Sequence, residues 1–130
     1  MKNLKSIFIL ILLTSTFSAC GQTKNNRTIH GQSYAEKELK SALKDKSQHN
    51  LIDNKTIIIK DSLTAINIAE PILFSIYGEN NITQQKPYEV YFIENYWIIN
   101  GALPKGMKGG TFLIILDSRD SKIIRITHGK

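Results

Sequence analysis

YWIINGALPKGMKGGTF, Tyr96 to Phe112, joins two apolar runs through a loop that holds Gly101, Pro104, Gly106, Gly109 and Gly110. Such a loop is a cradle for a phosphate, a piece of an active site, or the bend between two strands. A phosphate loop needs the spacing GxxxxGK[ST] and a helix N-terminus directly behind it, because the helix end supplies the amides that hold the anion. Here Lys105 and Lys108 each come before a glycine, and the following run, TFLIILD, is strand-like. Spacing and context both fail. The glycines fit a sheet corner, where positive φ angles and close backbone approach exclude side chains.

The same alternation extends on both sides. PYEVYFIE, from Pro87, puts Tyr88, Val90 and Phe92 on one face and Glu89, Tyr91 and Ile93 on the other. Glu94-Asn95 marks a tight reversal into YWIING, and TFLIILD pairs with KIIRITH around a turn at Ser118 to Ser121. Upstream, TIIIK (Thr56 to Lys60) reads as a further strand. Asp61 and Ser62 offer an N-cap for a helix through LTAINIAEPILFSIYG, with Leu63, Ile66, Ala69, Leu73, Ile76 and Tyr77 at helical spacing and Gly78 placed to end it. Pro71 falls inside this helix and is expected to kink it or divide it. One helix followed by consecutive hairpins predicts an α+β fold: a curved antiparallel sheet wrapped around a kinked helix.

The chain starts differently. MKNLK is positive, SIFILILLTSTF is apolar but short for a membrane span, and small residues lead into Cys20, the sole cysteine. This layout predicts an export signal over residues 1–19. Cleavage before Cys20 resembles lipoprotein processing, although Phe17 stands where leucine is usual; an ordinary signal peptide with Cys20 incidental is the alternative. A lipid on the Cys20 thiol would leave no cysteine for disulfide or nucleophile chemistry. Residues 20–33 are polar and Asn-rich and read as a flexible tether. A short amphipathic helix is expected within SYAEKELKSALKDK, with Leu39, Ala42 and Leu43 on one face, so the folded domain spans 34–130. Cleavage removes Lys2 and Lys5, and with them two of the six net positive charges. The remaining cations are scattered and the expected compartment is the cell envelope, facing the periplasm, so nucleic acid is not an expected partner.

Chemistry-bearing residues are sparse. His30, His49 and His128 share no metal-ligand spacing, which predicts no metal, and nothing implies a cofactor. Glu70 lies at the margin of the predicted helix stripe and reads as a solvated edge residue; Asp117 and Asp120 read as turn residues. The aromatics Tyr88, Tyr91, Phe92, Tyr96 and Trp97 suit a pocket lining or, at period two, the cover of a helix.

Taken in order, IAEPIL…YG, KPYEVYF, YWIINGALPKGMKGGTFLIILD and the closing HGK resemble the NTF2-fold immunity proteins of bacterial polymorphic toxin systems. The likeness runs from about Thr56 to Lys130 and is most specific at Trp97, Gly101, Leu103, Pro104, Gly109-Gly110 and His128-Gly129-Lys130. Ser121 stands where that family usually has glycine. The resemblance implies an NTF2-like (cystatin-like) cone and a non-enzymatic protein, with no catalytic residue, that binds and neutralises a cognate toxin. Outer-face and loop residues Glu89, Tyr91, Tyr96, Lys105 and Lys108 are then the expected contacts. Two other readings stay open: a periplasmic lipoprotein holding a small apolar ligand among Tyr88, Phe92, Trp97 and Ile99, and an NTF2-like enzyme using Glu70 or His128 as base.

Overall fold

The computed structural model describes residues 27–129; residues 1–26, with the expected export signal and Cys20, lie outside it. The chain falls into two units, divided after Lys44. The first contributes helix α1, Gly31–Lys44, none of whose residues is buried. It starts at Gly31, inside the stretch expected as tether, and carries Leu39 and Leu43 exposed. No described helix is long and apolar enough to cross a membrane.

In the second unit the elements run α2 (Ser62–Tyr77), α3 (Glu79–Thr83), β1 (Glu89–Ile93), β2 (Tyr96–Asn100), β3 (Phe112–Asp117) and β4 (Ile123–His128). The strands form one antiparallel sheet in sequence order. This is an α+β architecture consistent with an NTF2-like fold. Sequence order follows from local turn chemistry. Glu94 and Asn95 take φ of 49° and 68°, the backbone of a two-residue hairpin turn whose twist matches the strands, and Ile93 faces Tyr96 directly across it. The second hairpin needs a left-handed residue at Ser121, φ 64°. That conformation accounts for the glycine usual in the resembling family, since glycine adopts it without a Cβ penalty.

Asp61 caps α2 as predicted: its carboxylate accepts the Thr64 amide at 2.8 Å and the Thr64 hydroxyl at 2.9 Å. Gly78, φ 87°, ends the helix by donating its amide to Phe74 O. Two expectations about α2 are corrected. Pro71 does not divide it; the helix runs unbroken through residues 62–77. Pro71 and Asn67, whose carbonyl loses its partner, are both exposed, so that carbonyl faces solvent, while Ala65, Ala69 and Leu73 hold both halves to one core. The buried stripe is also rotated from the predicted one. It runs Ala65-Ala69-Leu73, and Leu63 and Ile76 are exposed. Apolar residues occur nearly all round this helix, so spacing alone could not select the packed side.

The sheet's inner face meets α2 through β2. Trp97, Ile99, Phe112, Ile114 and Leu116 are buried with Ile59, Ala65, Ala69, Leu73 and Ile82, and Val90 and Ile126 pack partly against them. The predicted strand at Thr56–Lys60 is a third correction. This segment is irregular, and the Ile58 and Ile59 amides both donate to the single carbonyl of Ser118, at 2.9 Å each. A strand would need a ladder of alternating partners, whereas Ile59 O is taken by the Trp97 indole N–H at 2.9 Å. β-Branched residues here serve to plug the core with Ile59. Replacing Trp97 by Phe should therefore leave the Ile59 carbonyl buried without a donor and cost about 2 kcal/mol of stability. Urea unfolding would show it, together with faster hydrogen exchange at the Ile58 and Ile59 amides.

Candidate functional site

The glycine loop folds around one buried amide. Gln85, 4% exposed, follows α3. Its side-chain oxygen accepts the Phe112 amide at 3.0 Å, and its nitrogen donates to Asn81 O at 3.1 Å. Its backbone oxygen accepts the Ala102 amide at 2.8 Å. Because Phe112 fixes which end of the amide is oxygen, the nitrogen is what lies 3.3 Å from His128 Nε2. That ring nitrogen accepts, and His128 Nδ1 donates to Gly129 O at 2.8 Å. A Cβ at Gly101 would run into the Gln85 side chain, and one at Gly110 would overlap the Gly129 backbone. Gly109 is different: its Cβ would meet only Leu103 at ordinary contact distance, 3.7 Å. The stretch that resembles the family is thus a joint closing one end of the β3–β4 pair, where Phe112 lies opposite His128. Gln85 was not singled out in the sequence, where a glutamine in a polar run gives no signal.

The groups weighed for catalysis are each held by neighbours. Glu70 is corrected from a solvated edge residue: its side chain is only 18% exposed, Lys86 Nζ lies 2.6 Å from Oε1, and the Tyr88 hydroxyl donates to the same oxygen at 3.0 Å. Burial first, and Glu70 second, push the Tyr88 phenol well above its ordinary range. His128 belongs to the Gln85 joint and packs against the Tyr77 ring at 5.1 Å. Glu70 and His128 thus sit in separate hydrogen-bonded sets. His30 stacks on Tyr34 within the first unit, and His49 is exposed. Among the described residues no group of three or more His, Cys, Asp or Glu is placed to hold a metal ion. Trp97 and Ile99 are core; Phe92 lies against Trp97 with ring centroids 4.8 Å apart.

What remains open is the outer face of the sheet. Register places Glu89 opposite Asn100 at one end, Tyr91 opposite Ile98 in the middle and Ile93 opposite Tyr96 at the other end. β3 extends these rows with Leu113, Ile115 and Asp117. Of the expected contact residues, Glu89 and Tyr91 are exposed here, and Tyr96 is half-buried. Its hydroxyl accepts from Arg119 at 3.2 Å, and the Arg119 guanidinium lies over its ring. Lys105 and Lys108 are exposed in the loop that leaves β2 after Asn100. Glu89 and Tyr96 thus stand at opposite ends, four residues or roughly 13 Å apart along the strands, with the loop at the Glu89 end. Sequence reasoning put Ile93 on this face and named Tyr96, but missed Ile98, Ile115 and Ile124. Ile93, Tyr96, Ile98, Ile115 and Ile124 line a shallow depression of about 230 Å³ with Glu94. The signal was present in YWII and FLIIL, since unbroken apolar runs are what two-sided strands look like. A second cleft, about 290 Å³, lies where Leu103, Pro104 and Met107 of the loop face Asn81 and Gln84.

Arg119 is bound by Asp117 on both oxygens, Nε to Oδ1 at 2.8 Å and an Nη to Oδ2 at 2.6 Å, at the buried end of β3. Asp117 is therefore more than a turn residue. The Arg119 side chain chiefly, then its amide, hold the Asp117 carboxyl below its usual 3.8. A carboxyl lowered on folding adds stability above its unfolded value and loses it as pH falls through the folded one. Acid unfolding should steepen below about pH 4, and Asp117→Asn should flatten that slope while lowering stability at pH 7; urea midpoints across pH 2–7 would measure both. The glycines give a sharper forecast. Gly110→Ala should cost about 3 kcal/mol, because rigid backbone must move; Gly101→Ala about 2 kcal/mol, because the Gln85 amide is displaced from Phe112; and Gly109→Ala under about 0.5 kcal/mol.

The uncharacterized protein YhhH of Escherichia coli (strain K12) is 28% identical over 127 residues, covering 97% of this chain and 89% of that protein. The uncharacterized protein YbbC of the same strain is 30% identical over 73 residues, 55% of this chain and 60% of that protein. No solved structure shows a significant match. The family described as NTF2 fold immunity protein matches residues 64–130, which holds α2 from Thr64 onward, the Gln85 joint and the whole sheet. On that match the chain belongs to the NTF2-fold immunity protein family.

Proposed function

We propose that this protein is a membrane-anchored immunity protein that neutralises a toxin by binding it, without catalysis. The observation that carries the reading is the division of labour across the sheet. Its inner face is filled by α2 and Ile59, whereas its outer face leaves Tyr91 and Ile93 half-exposed. Aromatic and aliphatic side chains on a rigid strand contribute contact area at little entropic cost. The family points the same way, since immunity implies a toxin as partner. Glu89, Tyr91, Tyr96, Lys105 and Lys108 are the proposed contacts; the lysines favour encounter with an acidic toxin surface more than final affinity. In this reading the sheet curls round a helix bent at Pro71 to give the cone form of the family.

The anchor is the second half of the proposal. A positive start, a short apolar run and Cys20 support lipidation of that thiol and a place on the periplasm-facing side of a cell-envelope membrane. Burial of Trp97 and Ile99 in the core disfavours the apolar-ligand reading, and the separate partners of Glu70 and His128 disfavour the enzyme. Co-expression with the toxin-like product of the neighbouring gene should rescue growth and yield a complex on co-purification; neither occurring would refute the immunity role. Cys20→Ser should move the protein from the membrane to the soluble fraction, and unchanged fractionation would refute the anchor.

A further inference from the structure

β4 leaves regular pairing at one point. Arg125 pairs with Ile115 and Ile123 with Leu116, so Ile124 is an extra residue in a β-bulge. Successive residues of a regular strand point to opposite faces, but a bulge re-aims one of them. Arg125 shares the outer face with its partner Ile115, and Ile124 lines the outer depression beside that same Ile115. Two consecutive side chains, one apolar and one cationic, are thereby turned to one side of the sheet. Ile93 is 56% and Ile124 49% exposed. Arg125 is exposed too, and no ion pair within the described residues neutralises it, whereas Arg119 nearby is held by Asp117.

We infer that the depression and Arg125 form a two-point anchor for a protein partner, which inserts a bulky apolar side chain between Ile93, Ile98, Ile115 and Ile124 and sets a carboxylate against Arg125. This rests on the immunity reading and specifies the chemistry of the toxin's contact surface. Charge selects the occupant. A lipid surface calls for several clustered cations, whereas beside this depression Arg119 is held by Asp117, Arg125 alone is unpaired among the described residues, and Glu94 stands at the rim. A single uncompensated guanidinium beside an apolar hollow matches an acidic residue next to a hydrophobic one, because the fork geometry of arginine holds a carboxylate through two bonds. Such central, desolvated contacts dominate protein interfaces.

Calorimetric titration of the full chain with the purified product of the neighbouring toxin-like gene tests this. Arg125→Glu should weaken binding by about 100-fold or more and Arg125→Lys by about tenfold, because lysine keeps the charge and loses the fork. Ile124→Asp should weaken it at least about tenfold by placing a second carboxylate in the hollow. Leu63→Ser, on the exposed side of α2, should leave affinity unchanged, and melting curves should match wild type for all four. Tight binding by wild type that survives both Arg125→Glu and Ile124→Asp overturns the anchor and leaves the immunity role standing. No binding by wild type overturns both. A wild-type dimer in sedimentation that Arg125→Glu dissociates assigns this face to a second copy and overturns the anchor.

Discussion

The amide of Gln85 is the constraint on which the sheet's geometry depends. One side chain bonds the start of β3 through Phe112, the middle of α3 through Asn81 and the end of β4 through His128. It reaches those partners only because Gly101 offers no Cβ in its path, and the strand ends close only because Gly110 yields to the Gly129 backbone. A buried amide that leaves any of its partners unpaired is costly, so these residues stand or fall together. The family-like stretch is thereby explained as construction. Its glycines set the sheet against its helix, while Tyr96, Ile98, Lys105 and Lys108 of the same stretch stay on the surface proposed for recognition.

With one face committed to the core, the sheet has a free face whose character follows from strand periodicity. Alternation buries Trp97, Ile99, Ile114 and Leu116, which necessarily turns Ile98 and Ile115 outward. Isoleucines on an outer face contribute nothing to the core they oppose, so they must be read as β-formers, as a contact surface, or as both. The bulge at Ile124 is what the proposed anchor builds on. It costs a ladder position and places an apolar side chain beside an uncompensated arginine. The same bulge bends the strand and increases its twist.

Much of this was legible from residues alone. The hairpins at Glu94-Asn95 and Ser118–Ser121, the Asp61 cap and the Gly78 stop rest on interactions within three or four residues, which sequence carries directly. Thr56–Lys60 was misread because β-branched residues suit both a strand and an apolar plug, and the choice turned on Trp97, far along the chain. The α2 stripe was rotated for a related reason: a helix apolar on most sides does not declare which side is covered. Glu70 was taken for a solvated residue because Lys86 and Tyr88, its partners, lie beyond the helix.

Sequence by itself determined the order of the strands, the caps and turns between them, and the absence of a phosphate loop in YWIINGALPKGMKGGTF, since each depends on local spacing and backbone preference. Tertiary structure decided which glycines are obligatory, that a glutamine in a polar run is the joint of the domain, and that Ile124 and Arg125 share one face. Those outcomes come from groups distant in sequence meeting at contact distance, and periodicity carries no information about such meetings.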